Sequence, residues 1–118
     1  MTNPTMKTSP FNIGDVVDIT DFGCIYSRYK TAFQHFGIMF KAKQCGEAYY
    51  IEPSDCKLER YNKHWIVADI AKHSINSRIL IYHIKNACGD SLVIDGDGLK
   101  LVRRTKKIVN VEPRKIGE

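Results

Sequence analysis

Between residues 64 and 102 short apolar runs alternate with turn residues at the spacing of a small all-β domain. Residues 64–72 predict one strand. Residues 78–85 predict the next, joined through the polar turn 73–77, and the run Ile79, Leu80, Ile81, Tyr82 and Ile84 points to a central strand buried on both faces. Asn86-Ala87-Cys88-Gly89-Asp90 predicts a tight reversal into 91–94, because Gly supplies positive φ and Asn and Asp tolerate it. Asp95-Gly96-Asp97-Gly98 predicts a second turn, after which Leu99 and Leu101 share one face of a strand over 99–102. Upstream, residues 13–20 predict a strand entered through Gly14, with Val17 and Ile19 on one face and Val16 and Asp18 on the other.

Residues 23–63 break this rhythm. Tyr26, Tyr29, Phe33 and Phe36 fall at spacings of three, four and three, which places the rings on one face of a short helix ended by Gly37. Beyond it 38–40 reads as extended, 48–51 as a strand before Pro53, and 54–61 as a helical turn or loop. The expected class is mainly β with a short helical insertion (α+β).

At 118 residues and 43% apolar composition the chain suits one folded domain with a core of its own. The expected organisation is a flexible arm over 1–10, a β domain over 11–102 carrying the insertion 23–63, and a basic C-terminal tail over 103–118. No run approaches the roughly twenty apolar residues of a membrane helix. Residues 1–10 lack the apolar stretch of a secretory signal, so a soluble cytoplasmic protein is expected. Cys24, Cys45, Cys56 and Cys88 are irregularly spaced without a C-x-x-C pair, which predicts free thiols. A zinc site drawn from Cys45, Cys56, His64 and His73 lacks the short knuckle that pre-forms half a tetrahedron, so no metal or other cofactor is expected.

Charge changes the picture more than composition does. Residues 1–99 hold eleven Lys/Arg and eleven Asp/Glu, leaving the whole net charge of +5 in the last nineteen residues. A nucleic-acid contact, to RNA or DNA, would therefore run through Lys100, Arg103, Arg104, Lys106, Lys107, Arg114 and Lys115. Ile108, Val109 and Val111 are more apolar than a purely solubilising tail requires, and suit docking as an extra strand or against a partner.

Gly14-Asp15-Val16-Val17-Asp18-Ile19, then 65–70 and 79–84, then 89–94 and 98–102, follow one another as strand, long loop, three hairpin-linked strands, tight turn and final strand. This order resembles an SH3-like five-stranded barrel of the KOW and Tudor type, here with an enlarged first loop. The opening Gly-Asp-Val-Val followed by residues 23–29 also resembles uncharacterised small phage-encoded proteins that pair such a barrel with an aromatic-rich first loop. The segregated charge points to a non-catalytic binding module that contacts nucleic acid or a nucleic-acid-handling complex; the alternatives are a phage-type regulator or inhibitor that binds a host protein through the aromatic insertion or an edge strand, and a small enzyme of unknown class.

For a protein partner the candidate contacts are Tyr26, Arg28, Tyr29 and Trp65. The aromatic stripe, interleaved with Arg28, Lys30 and His35, has the composition of a base-stacking platform, yet a helix laid across a barrel would use the same rings as core. Trp65 at the head of a strand has the same two readings. Asp95-Gly96-Asp97-Gly98 is not a calcium loop, because the fifth, sixth and twelfth places hold Leu99, Lys100 and Lys106. Cys24 lacks a neighbouring His and carboxylate to activate it, and His64, His73 and His83 suit local hydrogen bonds. An enzyme reading thus has no chemical anchor, and a catalytic site is not expected.

Overall fold

The computed structural model describes residues 10–27, 30–38, 43–45, 48–50, 61–110 and 112–117. The strands are β1 (Val16–Ile19), β2 (Lys43–Cys45), β3 (Ala48–Tyr50), β4 (Trp65–Lys72), β5 (Leu80–Lys85), β6 (Ser91–Asp95), β7 (Leu99–Arg103) and β8 (Arg114–Lys115), with one helix, α1 (Lys30–Phe36). Six strands form a single sheet in the order β6-β5-β4-β1-β7, with β8 added beside β4, and β2 and β3 form a separate antiparallel hairpin. All pairings in the large sheet are antiparallel except β8 with β4.

β1, β4 and β5 are shorter than their apolar patterns predict, whereas β6 and β7 each run one residue longer; at β1 and β4 the cause is local. Before β1, Asn12–Asp15 forms a turn with Gly14 at φ 98°, where a side chain would be strained, and the Asp15 carboxylate accepts the Asn12 N–H at 2.8 Å. Before β4, His64 sits at φ 58°, held there by its N–H donating to Asp18 Oδ1 at 2.9 Å, so the strand starts at Trp65.

A bulge in β4 between Val67 and Asp69 reconciles its sequence with two buried faces. It keeps Trp65, Val67 and Ile70 on one side of the sheet and turns Ala71 to the other. The first side packs Phe11, Val17, Ile19, Tyr61, Trp65, Tyr82, Ile84, Leu92, Ile94 and Leu99 into the larger core. The second packs Ala71, Ile81, Val93 and Ile116 beneath Ala32 of α1. As the apolar run predicted, β5 is an interior strand buried on both faces, between β6 and β4, with Ile81, Tyr82 and Ile84 all fully inaccessible.

The sheet does not close into a barrel. Its end strands β6 and β7 do not pair; instead Ile25 bridges Ile94, and the N–H groups of Tyr26 and Ser27 both donate to Val93 O at 2.7 and 3.0 Å. An irregular segment thus satisfies the β6 edge where a closing strand would lie. Two 3₁₀ turns, Phe22–Cys24 and Gly96–Gly98, meet at the open seam, and Gly98 is required there because a Cβ would lie 2.7 Å from that of Cys24.

The C-terminal segment returns to the sheet. Arg114 and Lys115 pair in parallel with Ala71 and Lys72, and Ile116, buried, donates its N–H to Lys72 O at 2.8 Å. The docking residue is therefore Ile116, whereas Ile108 and Val109 are exposed at 65% and 42%, and Val111 lies outside the described residues. The free-thiol expectation also needs correction: Cys24 is free, but Cys88 is disulfide-bonded. The readings of 39–40 and 51–60 lie outside the described residues.

Candidate nucleic-acid interface

The seven basic residues singled out by sequence divide into three groups. Lys100 and Arg103 stand exposed on β7, and Lys106 and Lys107 are exposed just beyond it. Among the described residues no hydrogen bond or ion pair engages any of these four side chains. Thr105 orders the chain between them, its Oγ1 donating to Lys107 O and accepting the Lys107 N–H, both at 3.3 Å.

Arg104 is different. Its Nη1 lies 3.3 Å from Asp15 Oδ2 and its Nη2 donates to Pro10 O at 3.1 Å. Asp15 is fully buried and also accepts the N–H groups of Asn12 and Thr105, each at 2.8 Å. A buried carboxylate is tolerated only when paired and hydrogen-bonded, and these three partners meet that need. Arg104 is thus committed to clasping the exit of β7 against the entry of β1, so its charge is already neutralised. The clasp is not legible in the sequence, where Asp15 reads as the polar lead-in to a strand.

The third group is Arg114 and Lys115 in β8. With Lys72, Ser77, Glu112 and Pro113 they line an open polar groove beside the end of β4. Lys72 was not among the sequence candidates, since in the pattern of 64–72 it is only the last polar position.

Of the proposed protein contacts, Trp65 must be withdrawn. It is fully buried, its Nε1 donating to Tyr61 O at 2.6 Å and its ring lying 5.2 Å from that of Tyr61. Tyr26 precedes α1 instead of lying on it; its hydroxyl bonds Ser74 Oγ at 2.6 Å and its ring meets His73 edge-on at 5.0 Å. Phe33 is buried, and Tyr26 and Phe36, both half-buried, pack against the second core. Arg28 and Tyr29 lie outside the described residues.

The remaining reactive groups are spread apart. Partial burial, then Asp21, Asp95 and Asp97, push the Cys24 thiol up from its ordinary value, which suppresses the thiolate a nucleophile needs. Burial, with Asp90 as charge and hydrogen-bond partner, pushes the Tyr61 hydroxyl far above its usual range. His73 Nδ1 accepts the N–H groups of Ile75 and Asn76 at 3.1 and 3.3 Å and so shapes a turn. His83 lies under α1, its ring 5.5 Å from Phe36, with Nε2 buried and unpartnered; burial first, then Lys85, lowers its pKa to about 4, against a smaller raising effect of Asp69. Among the described residues no three His, Cys, Asp or Glu side chains come together as a metal site, and no helix is long and apolar enough to cross a membrane.

No protein-family model matches this chain, and comparison with curated proteins and with solved structures finds no significantly similar one.

Proposed function

We propose that this protein is a non-catalytic binding module that holds nucleic acid by its phosphate backbone, using Lys100, Arg103, Lys106 and Lys107 at the exit of β7. The observation that carries this reading is their isolation: four exposed cations without ion pairs among the described residues are gathered at one end of a chain whose first 99 residues are electrically neutral. Such a cluster attracts phosphate through counterion release, with little preference for sequence. The strand order β6-β5-β4-β1-β7, with a 3₁₀ turn leading into β7, supports an SH3-like module whose barrel is left open. We place it in the cytoplasm with its ligand, where Cys88, in the exposed 86–90 turn, would be reduced.

Fluorescence anisotropy against labelled single-stranded oligonucleotides tests the reading. Binding should weaken with a log–log salt slope of roughly −0.7 per phosphate neutralised, and replacing the four cations with glutamine should abolish most of that slope. Absence of binding at low salt would sink it.

One observation favours a second reading. The outer edge of β7 has no strand partner among the described residues, and Val102 within β7 is 46% exposed, which suits an extended segment of a host protein added as a further strand. A partner retained after nuclease treatment and lost on Val102→Pro would favour that role.

A further inference from the structure

The return of the chain as β8 creates a feature that the charge pattern alone does not contain. Lys72 and Lys115 are register partners on neighbouring strands, and Arg114 stands at the adjacent position, opposite Ala71. Like charges directly opposite one another across two strands are destabilising. Nevertheless both lysines and Arg114 line one groove, where Glu112 is the sole acidic group among the lining residues. Among the described residues no ion pair relieves the three cations, and Ser77 adds a hydroxyl able to donate to an oxyanion.

We infer that this groove is a second phosphate-binding subsite for the same nucleic-acid backbone, formed by Lys72, Arg114, Lys115 and Ser77. The inference rests on the proposed function and extends it to a residue, Lys72, that lies outside the basic C-terminal segment. A phosphodiester seated between Lys72 and Lys115 turns their repulsion into two attractive contacts, and Arg114 offers a planar fork suited to phosphate oxygens. The register also fixes where the subsite lies relative to the β7 cluster. Arg103 pairs with Val16, which pairs with Ile66, whereas Arg114 pairs with Ala71 further along β4. At about 3.3 Å per residue the two cation groups are separated by roughly 15 Å along the strand direction. At about 3.4 Å per stacked nucleotide, a strand of roughly five nucleotides bridges them. The segment 104–113 thus carries the chain from one subsite to the other.

The test compares the full-length chain with a Lys72→Gln/Arg114→Gln/Lys115→Gln variant, which keeps every backbone bond of β8, and with the glutamine variant of the β7 cluster. Labelled twelve-nucleotide RNA and DNA single strands are the probes, and the two arms identify which polymer is preferred. The groove variant should bind roughly tenfold more weakly, with a salt slope shallower by about 2, while its circular dichroism and melting temperature stay unchanged. A second readout does not depend on substitution: hydrogen exchange at the Ile116 amide, bonded to Lys72 O, should slow on adding oligonucleotide to the unsubstituted protein. If the groove variant binds with the unaltered slope and Ile116 protection does not change, while the β7 variant loses binding, the subsite is refuted and the proposed function stands. If the unsubstituted protein binds neither probe at low salt, both fall together.

Discussion

Trp65, Tyr82, Ile84 and Ile94 fill one face of the sheet, and that core contains no buried side-chain donor or acceptor without a partner among the described residues. The opposite face, roofed by the seven residues of α1, holds two such atoms, Ser27 Oγ and His83 Nε2, and its core leans on the small side chains Ala32 and Ala71. Both residues adjoin Val93 along the backbone, since His83 is its register partner and Ser27 N–H donates to its carbonyl. An unmet buried polar group removes part of what apolar burial contributes. The global fold therefore rests on the first face, while the second is where local opening and sensitivity to conditions concentrate.

The sharpest way to break this contrast is Trp65→Ala. Trp65 is fully buried, stacks near Tyr61 and donates to its carbonyl at 2.6 Å, so truncation leaves a cavity and an unpaired acceptor together. The expected cost is about 3–5 kcal/mol, enough to approach global unfolding for a domain of this size. Chemical denaturation followed by circular dichroism measures it. A loss below about 1 kcal/mol would mean that the first face is not the stabilising one.

On the second face the corresponding change, Ile116→Ala, should cost less, about 2 kcal/mol, and act locally. Ile116 holds only the two-residue strand β8 and one backbone bond to Lys72, so its loss should free the segment after Thr105 while leaving β1 to β7 paired. Hydrogen exchange should show lost protection at the Ile116 amide and retained protection in β4 and β5. Because Lys115 then leaves Lys72, the same variant should lose the salt-slope contribution of the groove.

The same asymmetry decides what could be read in advance. Alternation at Val17 and Ile19, the double-sided run of β5, and the turns at 86–90 and 95–98 carry strong local signals, and each appears where its pattern places it. The bulge in β4 carries none, because Trp65-Ile66-Val67-Ala68 offers an apolar residue at every step and leaves the register to tertiary packing. β8 is equally silent: Arg-Lys has no apolar alternation, and its docking comes from Ile116 and backbone bonds supplied by a strand more than forty residues away in sequence. Within the candidate site, the segregated charge was legible and its partition was not. Arg104 is neutralised by Asp15, 89 residues earlier in the chain, and Lys72 joins the groove only because β8 returns; neither follows from local pattern.

The smallest expected effect is the most diagnostic of the second face. His83 has its folded-state pKa lowered to about 4 by burial and Lys85, with Asp69 opposing, against an unfolded value near 6.5. Above pH 6.5 the ring is neutral in both states and its burial has no pH-linked cost. Between about 6.5 and 4 the unfolded chain takes up a proton that the folded ring refuses, so stability falls as pH falls, and below about 4 the difference is constant. Because the ring keeps some contact with solvent, the loss should be about 1–2 kcal/mol after allowance for screening. Carboxylates titrate over part of the same window, so the measured quantity is the difference between the native protein and His83→Gln, whose amide does not titrate. Urea midpoints at pH 7.5, 5.5 and 4.0 should converge on acidification if His83 is slightly stabilising as a neutral ring, with the native protein losing more than the variant. Parallel pH profiles would place the acid sensitivity elsewhere, and with it the claim that the face beneath α1 is the weaker of the two.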